Sequence, residues 1–410
     1  MIARRLAGLA ALAALLAAVP AARAQAPPDL TNAAAAILID ARDGKVLLDK
    51  NAEEQRAIAS TTKLMTALLA LERARPRERF VAPRYDALPV ESKINLRAGE
   101  SMTVADLLEA LLLESANDAA VTLAEGVSGS RRAFVAEMNA RAEDLGLADT
   151  SYANPIGLDD PLNYSTARDL SALAARLLHN RRFARTVDMP SAVLASGALR
   201  RIVDNRNVLV GEYPFVDGVK TGFTARAGNV LVGSGSKRGA QVISVVMGEP
   251  TEAQRDADTL ALLRYGLGRY RRSTPVRAGR RVATARLRHR EGERVDLVPT
   301  RTVTRSVRRG EPATICVVGA PRELDGPLPA RARVGTVEVR RRGRTVDRVA
   351  LVTAAAVAEA GITQRLDDVL GRTLLVLGVG AFALASLQLL LLRRRARRRR
   401  SARPGGTEIA

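Results

Sequence analysis

The apolar positions of residues 30–273 predict strands at both ends of this segment and helices between them. Two short apolar runs, 35–39 and 46–48, flank the polar tetrapeptide Arg42-Asp43-Gly44-Lys45 and predict a β-hairpin. Strand-like runs return far along the chain, at 208–210, 230–232 and 242–247. Because the strands lie at the two ends and the helices in the middle, the pattern predicts an α+β domain over residues 25–273.

Five stretches with apolar residues at helical spacing supply the helices of this domain. Polar residues that commonly cap helices mark several of their starts. The predicted helices are a run opened by Ser60, a Leu-rich run capped by Thr103 and Asp106, a run from Ser130 to Gly146, a run capped by Thr166 and Asp169 that reaches Leu178, and a last helix over 252–267.

The pattern changes after Thr274, where short β-branched runs alternate with Gly and Pro. This alternation predicts a separate all-β domain over residues 274–352. Residues 353–372 form a predicted linker. Residues 373–392 contain no charged side chain, and twenty residues are long enough for one transmembrane helix.

The two ends of the chain predict export and anchoring. Residues 1–24 have a basic start, an apolar core and the small-x-small sequence Ala22-Arg23-Ala24, which predicts a signal peptide cleaved after Ala24. The tail 393–410 carries eight Arg and one Glu. Since positive clusters stay in the cytoplasm, we expect a single-pass cell-membrane protein with its body outside and its tail inside.

Charge is distributed unevenly between these segments. The chain has a net charge of +21, but residues 25–273 hold 32 basic and 31 acidic side chains. Residues 274–352 hold 19 Arg and 8 acidic residues, so the β domain is strongly basic. With 3% aromatic residues and predicted export, nucleic acid is not an expected partner. Anionic lipid or wall polymer is the expected partner of the basic domain, and a merely solvated Arg-rich surface is the alternative.

Composition also limits the chemistry. Cys316 is the only cysteine, and the two histidines lie far apart at 179 and 289. Disulfides within the chain and thiolate zinc sites are therefore excluded, and a Ser-His-Asp triad is not expected. The chain has 58 Arg but six Lys, so each lysine is informative, because a buried lysine can lose its proton and an arginine cannot.

Three short motifs contain candidate catalytic groups. In Ser60-Thr61-Thr62-Lys63 the spacing places a hydroxyl and an amine on one helix face. A buried lysine at a helix start could take the proton of the serine. Ser115-Ala116-Asn117 offers a second hydroxyl and an amide, and Lys220-Thr221-Gly222 suits a terminal carboxylate with room for a substrate backbone. Ser234-Gly235-Ser236-Lys237 repeats the first spacing but is interpreted as a hairpin turn.

Together, in this order, the motifs resemble those of the D-alanyl-D-alanine carboxypeptidases, the low-molecular-mass penicillin-binding proteins of the serine peptidase type. The resemblance covers about residues 30–360. It includes the segments 154–159 (Asn-Pro-Ile-Gly-Leu-Asp) and 164–170 (Tyr-Ser-Thr-Ala-Arg-Asp-Leu). It implies a β-lactamase-like catalytic domain followed by a smaller β domain. A membrane-spanning anchor departs from the amphipathic helix of many members.

The resemblance also implies a mechanism and roles for individual residues. The enzyme would remove the terminal D-alanine of a peptidoglycan stem peptide through an acyl-enzyme, and β-lactams would inhibit it. No metal or organic cofactor is implied. The implied roles are Ser60 as nucleophile, Lys63 as general base, Ser115 and Asn117 as proton relay, Lys220 and Thr221 as carboxylate ligands, Gly222 as the site of close substrate approach, and the N–H groups of Ser60 and Phe223 as oxyanion hole.

Other functions remain open at this point. A class A β-lactamase would use a Glu and an Asn for deacylation, whereas this chain has Asp160-Pro161-Leu162-Asn163. A transpeptidase would use the same acylation with an amine as acceptor. The intact motifs disfavour an inactive cell-wall-binding homologue. A membrane-surface or nucleic-acid binder built on the Arg-rich domain is a further alternative, and predicted export disfavours nucleic acid.

Overall fold

The structure is a computed structural model that describes residues 26–290 and 292–400, and it divides into two compact units after Arg271. The predicted signal peptide, residues 1–24, and the tail end, residues 401–410, lie outside the described residues. The strands of the first unit are β1 (Ala35–Asp40), β2 (Val46–Lys50), β3 (Arg56–Ala57), β4 (Arg79–Val81), β5 (Ser101–Thr103), β6 (Tyr164–Ser165), β7 (Ser191–Leu194), β8 (Arg201–Asp204), β9 (Val216–Thr224), β10 (Gly228–Lys237) and β11 (Ala240–Glu249).

The helices of the first unit lie mainly between β3 and β9 in the chain. A 3-10 turn (Ala59–Thr62) precedes the first helix, and a π-helical turn (Ala110–Glu114) continues the second. The helices are α1 (Lys63–Arg73), α2 (Val104–Glu109), α3 (Asn117–Ser128), α4 (Arg131–Asp144), α5 (Ala167–Leu178), α6 (Arg181–Val187), α7 (Leu209–Glu212) and α8 (Glu252–Gly268).

A five-stranded antiparallel sheet, in the order β2-β1-β11-β10-β9, separates two hydrophobic cores. Successive side chains of a strand point to opposite faces, and β1 shows this clearly. Ile37 and Ile39 join the core shared with helices α1 to α6, whereas Ala36 and Leu38 join the core shared with α8. Burial on both faces explains why these strands are nearly continuous apolar runs. The α+β prediction is confirmed.

Three predicted helix starts are confirmed by their capping hydrogen bonds. The side-chain oxygens of Thr103, Ser130 and Thr166 accept from backbone N–H groups three residues later, at 3.3, 3.2 and 3.1 Å. The predicted first hairpin and last helix also form, as β1–β2 and α8.

Three local predictions are wrong. Residues 208–210 are not a strand, because Asn205 Oδ1 accepts from the Asn207 N–H at 2.9 Å and starts a turn that leads into α7. Residues 234–237 are not a turn but the end of β10. The turn is Arg238-Gly239, where both residues have positive φ. The first helix begins at Lys63 rather than Ser60, because a 3-10 turn contains the serine.

The second unit is built from strands, as predicted for the basic segment. They are β12 (Tyr270–Val276), β13 (Ala283–Leu287), β14 (Arg294–Pro299), β15 (Val303–Arg308), β16 (Thr314–Val318), β17 (Glu323–Leu324), β18 (Arg333–Arg341) and β19 (Arg344–Thr353). Six of them form a sheet in the order β16-β18-β19-β14-β13-β17, and β12 pairs with β15. Their apolar side chains form a separate core.

The segment predicted as a linker, 353–372, is mostly structured. Thr353 ends β19, and Val357 is buried in the β core and pairs with Leu328. Helix α9 (Ile362–Arg400) then begins before the predicted span. Its segment Leu377–Arg394 is long and apolar enough to cross a membrane, and none of that segment is buried. The segment between β19 and α9, residues 354–361, is therefore shorter than the predicted linker.

Candidate active site

The three sequence motifs are brought together along the edge strand β9 of the large sheet. The 3-10 turn with Ser60 and the π-helical turn before Ser115 both contact β9, which contains Lys220. A Cβ placed on Gly222 would lie 3.0 Å from the Ser60 nitrogen, so the third motif lies directly against the first. Glycine is required there because the two backbones pack this closely.

Ser60 and Lys63 form the central pair of the site. The Lys63 ammonium nitrogen, Nζ, lies 2.8 Å from Ser60 Oγ and donates to the carbonyl oxygen of Ile156 at 2.5 Å. Lys63 is completely buried. Its burial, helped by the nearby positive charge of Lys220, lowers the pKa of Lys63 well below its usual range. The neutral amine is therefore accessible, and it is in contact with the hydroxyl whose proton it would accept.

Two glycines give the turn with Ser60 its close-packed surroundings. Gly157 has φ of +90°, and a Cβ there would lie 2.0 Å from the Ala59 carbonyl oxygen. Gly222 approaches the same turn from the strand side. Ala59 itself has φ of +45°, so the turn before Ser60 is held in an unusual backbone conformation. Backbone therefore packs closely against both sides of the turn that contains Ser60, the predicted nucleophile.

The second motif marks a sharp change of chain direction. Ser115 has left-handed backbone angles (φ 65°, ψ 29°) and ends the π-helical turn. The Ala116 N–H donates to the Ala110 carbonyl at 3.1 Å, and α3 begins at Asn117. Both Ser115 and Asn117 are 6% exposed. The Asn117 amide nitrogen, Nδ2, donates to Glu91 Oε2 at 2.6 Å.

In the third motif Lys220 is buried, with 1% of its surface exposed, and its Nζ donates to the Thr221 carbonyl at 3.0 Å. Burial, together with the positive charges of Arg206 and Arg255, lowers the pKa of Lys220 to about 7. A carboxylate beside Lys220 would restore the charged form. Thr221 is also buried, whereas Phe223 is 63% exposed at the end of the motif.

Some residues of the site were not found from the sequence. Glu91 and Tyr85 lie in the loop 82–100, which shows no motif, and Glu91 binds both Tyr85 and Asn117. The Ile156 carbonyl acts through the backbone, so no side-chain pattern marks it. Asp118, directly after the second motif, was a possible signal for this loop, because its carboxylate accepts from the Ile94 N–H at 3.2 Å. The two residues are 24 positions apart in the chain, so no local pattern connects them.

The segment compared with the deacylation loop of class A β-lactamases has other contacts. The Asp160 carboxylate accepts from the Leu162 N–H at 2.8 Å and closes a turn. The Asn163 amide donates to Thr62 Oγ1 at 3.2 Å.

Among residues 26–290 and 292–400, no group of three His, Cys, Asp or Glu side chains lies close enough to hold a metal ion.

Comparison with known proteins gives a consistent result. Residues 21–251 match the family model described as D-alanyl-D-alanine carboxypeptidase. The D-alanyl-D-alanine carboxypeptidase DacD of Escherichia coli is 32% identical over 83% of this chain and 91% of its own length. The structure of penicillin binding protein 5 from Haemophilus influenzae is 28% identical, with a TM-score of 0.58, and covers 82% of this chain and all of its own.

A smaller solved structure matches only part of the chain. The Streptomyces K15 DD-transpeptidase is 27% identical, has a TM-score of 0.57, and covers 60% of this chain and 100% of its own. The family model, the Escherichia coli relative and the Haemophilus influenzae structure all indicate the same family. The chain therefore belongs to the D-alanyl-D-alanine carboxypeptidases, serine peptidases with a penicillin-binding-protein fold.

Proposed function

We propose that Ser60 is the acyl-accepting nucleophile of this carboxypeptidase and that Lys63 is its general base. The observation that carries the assignment is the 2.8 Å contact between Lys63 Nζ and Ser60 Oγ, with the amine buried and its pKa lowered by that burial. As Ser60 Oγ attacks the carbonyl carbon between two D-alanines, its proton passes to Lys63. The N–H groups of Ser60 and Phe223 stabilise the resulting oxyanion.

Ser115 and Asn117 complete the acylation step. Collapse of the tetrahedral intermediate breaks the C–N bond, and the leaving amine takes a proton from Lys63 through the Ser115 hydroxyl. Terminal D-alanine departs, and an ester on Ser60 remains. Water then attacks the ester, gives its proton to Lys63 and releases the shortened peptide, while Ser60 recovers its proton. Lys220 and Thr221 bind the substrate carboxylate, and Gly222 leaves room for the substrate backbone.

Release of D-alanine tests these roles. A peptide ending in D-alanyl-D-alanine should lose one D-alanine with the full chain, and both Ser60→Ala and Lys63→Ala should abolish this release. Because the smaller similar structure is a DD-transpeptidase, an added amino-acid amine serves as competing acceptor in the same assay. We expect hydrolysis to dominate. Release that persists in Ser60→Ala would refute the mechanism, and amide product in excess of acid would assign a transpeptidase.

We also propose that α9 anchors the enzyme in the cell membrane, with the catalytic unit outside and the Arg-rich end inside. Apolar side chains along the helix are exposed, including Leu377, Phe382 and Leu389. Exposure of this kind suits a lipid environment. The arginines from 393 onward follow the apolar segment directly and favour retention on the cytoplasmic side.

The basic β unit is proposed to bind anionic lipid or wall polymer. Arg277, Arg280, Arg309 and Arg344 are exposed, and the unit's net charge is strongly positive. Each basic residue near an anionic surface contributes on the order of 1 kcal/mol. A shortened chain that ends before α9, residues 25–361, should bind anionic vesicles or isolated wall at low salt and release them at high salt. Binding that is unaffected by salt would refute the electrostatic role.

A further inference from the structure

The loop 82–100 contains a carboxylate, Glu91, to which the proposed mechanism gives no role. Two contacts hold its neighbours against the second motif. The Ser92 carbonyl accepts from the Asn117 N–H at 2.8 Å, and the Asp118 carboxylate accepts from the Leu96 N–H at 2.9 Å. Glu91 therefore lies beside the start of α3 as part of a fixed segment.

Both carboxylate oxygens of Glu91 are occupied by specific donors. Oε2 accepts from the Asn117 amide nitrogen at 2.6 Å and from the Tyr85 hydroxyl, and Oε1 accepts from the Leu88 N–H at 2.9 Å. Burial raises the pKa of Glu91, but these donors outweigh that effect and keep the pKa below its usual value. Glu91 is therefore ionised at neutral pH.

An ionised carboxylate can only accept hydrogen bonds, so it selects one of the two orientations of the Asn117 amide. The NH₂ group must face Glu91, and the carbonyl oxygen Oδ1 must face away from the loop. With its nitrogen held by Glu91, the amide has Oδ1 as the acceptor that it could offer to a substrate or to the proposed reacting groups. Without Glu91, the amide would be free to turn over and present either atom.

We infer that Glu91 is a positioning residue that fixes the orientation of the Asn117 amide for acyl transfer. The inference rests on the proposed roles of Ser60, Lys63 and Asn117. Glu91 does not touch the substrate. It acts through Asn117, and Tyr85 supports it by a hydrogen bond to the same oxygen.

Glu91 has a second, electrostatic effect on the site. Burial is the largest cause of the lowered pKa of Lys63, and the charge of Lys220 lowers this pKa further. The charges of Glu91 and Asp118 act in the opposite direction and raise it. Loss of the Glu91 charge therefore lowers the pKa of Lys63. Since the neutral amine is the reactive form, the acidic limb of the pH–rate profile moves to lower pH. This shift reports the loss of the Glu91 charge, and the cycle with Asn117 described below tests whether Glu91 acts through the amide.

The test uses full-length protein with Glu91→Ala, Glu91→Gln and Tyr85→Phe. Asp86→Asn is the matched control, because this carboxylate of the same loop is 79% exposed and pairs with Arg84. Glu91→Ala should lower kcat and kcat/KM together by about tenfold or more at unchanged KM. Glu91→Gln keeps an oxygen acceptor, so it should lose less activity while its acidic limb moves equally far. Tyr85→Phe should lose a fraction of the activity, and Asp86→Asn none.

A double-mutant cycle with Asn117→Ala, measured as the rate of β-lactam acylation, decides whether Glu91 acts through Asn117. We expect Glu91→Ala to cost nothing further once Asn117 is replaced. Additive losses, or wild-type kcat and pH profile in both Glu91 variants, would overturn the inference while Ser60-dependent acylation continued. If Ser60→Ala is still acylated, the proposed function fails instead, and the two failures are therefore distinguishable.

Discussion

Two buried lysines in the site have opposite tasks in the proposed mechanism. Lys63 must be neutral to accept the proton of Ser60, whereas Lys220 must be charged to bind a carboxylate. Burial lowers the pKa of both. For Lys63 this favours the reactive form. For Lys220 it disfavours the protonated form in the free enzyme. An incoming carboxylate raises the pKa of Lys220 again, so substrate binding favours protonation of this lysine.

Replacement of Lys220 should therefore separate two substrates. Lys220→Ala should lower kcat/KM for a peptide ending in D-alanyl-D-alanine much more than for the analogue amidated at its C-terminus. In the wild type, kcat/KM for the acid peptide should fall as pH rises above about 7, because the free enzyme's Lys220 loses its proton there. The amidated analogue should lack this alkaline limb. Equal losses and equal pH profiles for both substrates would contradict the carboxylate-binding role.

The loop 82–100, which contacts the second motif, is itself held by another element of the fold. The loop 82–100 is tied to the β7–β8 hairpin by Glu100 and Arg201, whose side chains are 2% and 11% exposed and 2.7 Å apart. Hydrogen bonds from Arg201 and from two backbone N–H groups lower the pKa of Glu100 to about 2. The loop with Glu91 thus depends on a buried ion pair at its far end.

Loss of this ion pair should destabilise the catalytic unit. Glu100→Ala leaves the Arg201 charge buried and should lower the free energy of unfolding by about 3 kcal/mol. Because the folded-state pKa is depressed, the stabilisation is present above about pH 4.5 and disappears as pH falls toward about 2. Glu100→Gln should therefore flatten the stability–pH curve in this window, as followed by denaturant unfolding.

The control for that measurement is Glu72→Gln. Glu72 pairs with Arg141 at 2.8 Å, but their side chains are 29% and 23% exposed. Loss of such a solvated pair should cost less than about 1 kcal/mol. A Glu100 variant that unfolds like the Glu72 variant would show that the bridge does not hold the loop.

The sequence predicted five of the helices and most of the central strands, because these depend on local periodicity, but it predicted neither α3 nor α6. Thr103, Ser130 and Thr166 cap helices as expected, since capping involves residues three positions apart. Glu91 could not be predicted, because it meets Asn117 across 26 positions of chain and its own loop has no periodic pattern. The strand predicted at 208–210 was also wrong for a reason that apolar composition does not show. The Asn205 side chain accepts a hydrogen bond from the Asn207 N–H and starts a turn there.

For the whole molecule, the exposed apolar helix supports the proposal that the enzyme is held at a membrane. The nearly neutral catalytic segment and the basic β segment carry different charges, so their roles at an anionic surface should differ. Anchoring by one span would place the catalytic unit near newly exported substrate and leave the tail in the cytoplasm.

This topology predicts the result of proteolysis on intact, wall-stripped cells. Protease added outside should degrade the catalytic unit and spare a tag attached to Ala410. In permeabilised cells the tag should be removed as well. A tag that is cut from outside in intact cells would contradict the orientation given by the arginines after residue 392.

The identity of the nucleophile is the central claim, and covalent labelling tests it most directly. Incubation of the full chain with a labelled penicillin, followed by intact-protein and peptide mass analysis, should show one adduct located on Ser60. Ser60→Ala should take up no label. Ser234 provides an internal comparison, because it has the same spacing to Lys237 but lies buried within β10. An adduct on Ser234, or label in the Ser60→Ala variant, would contradict the account.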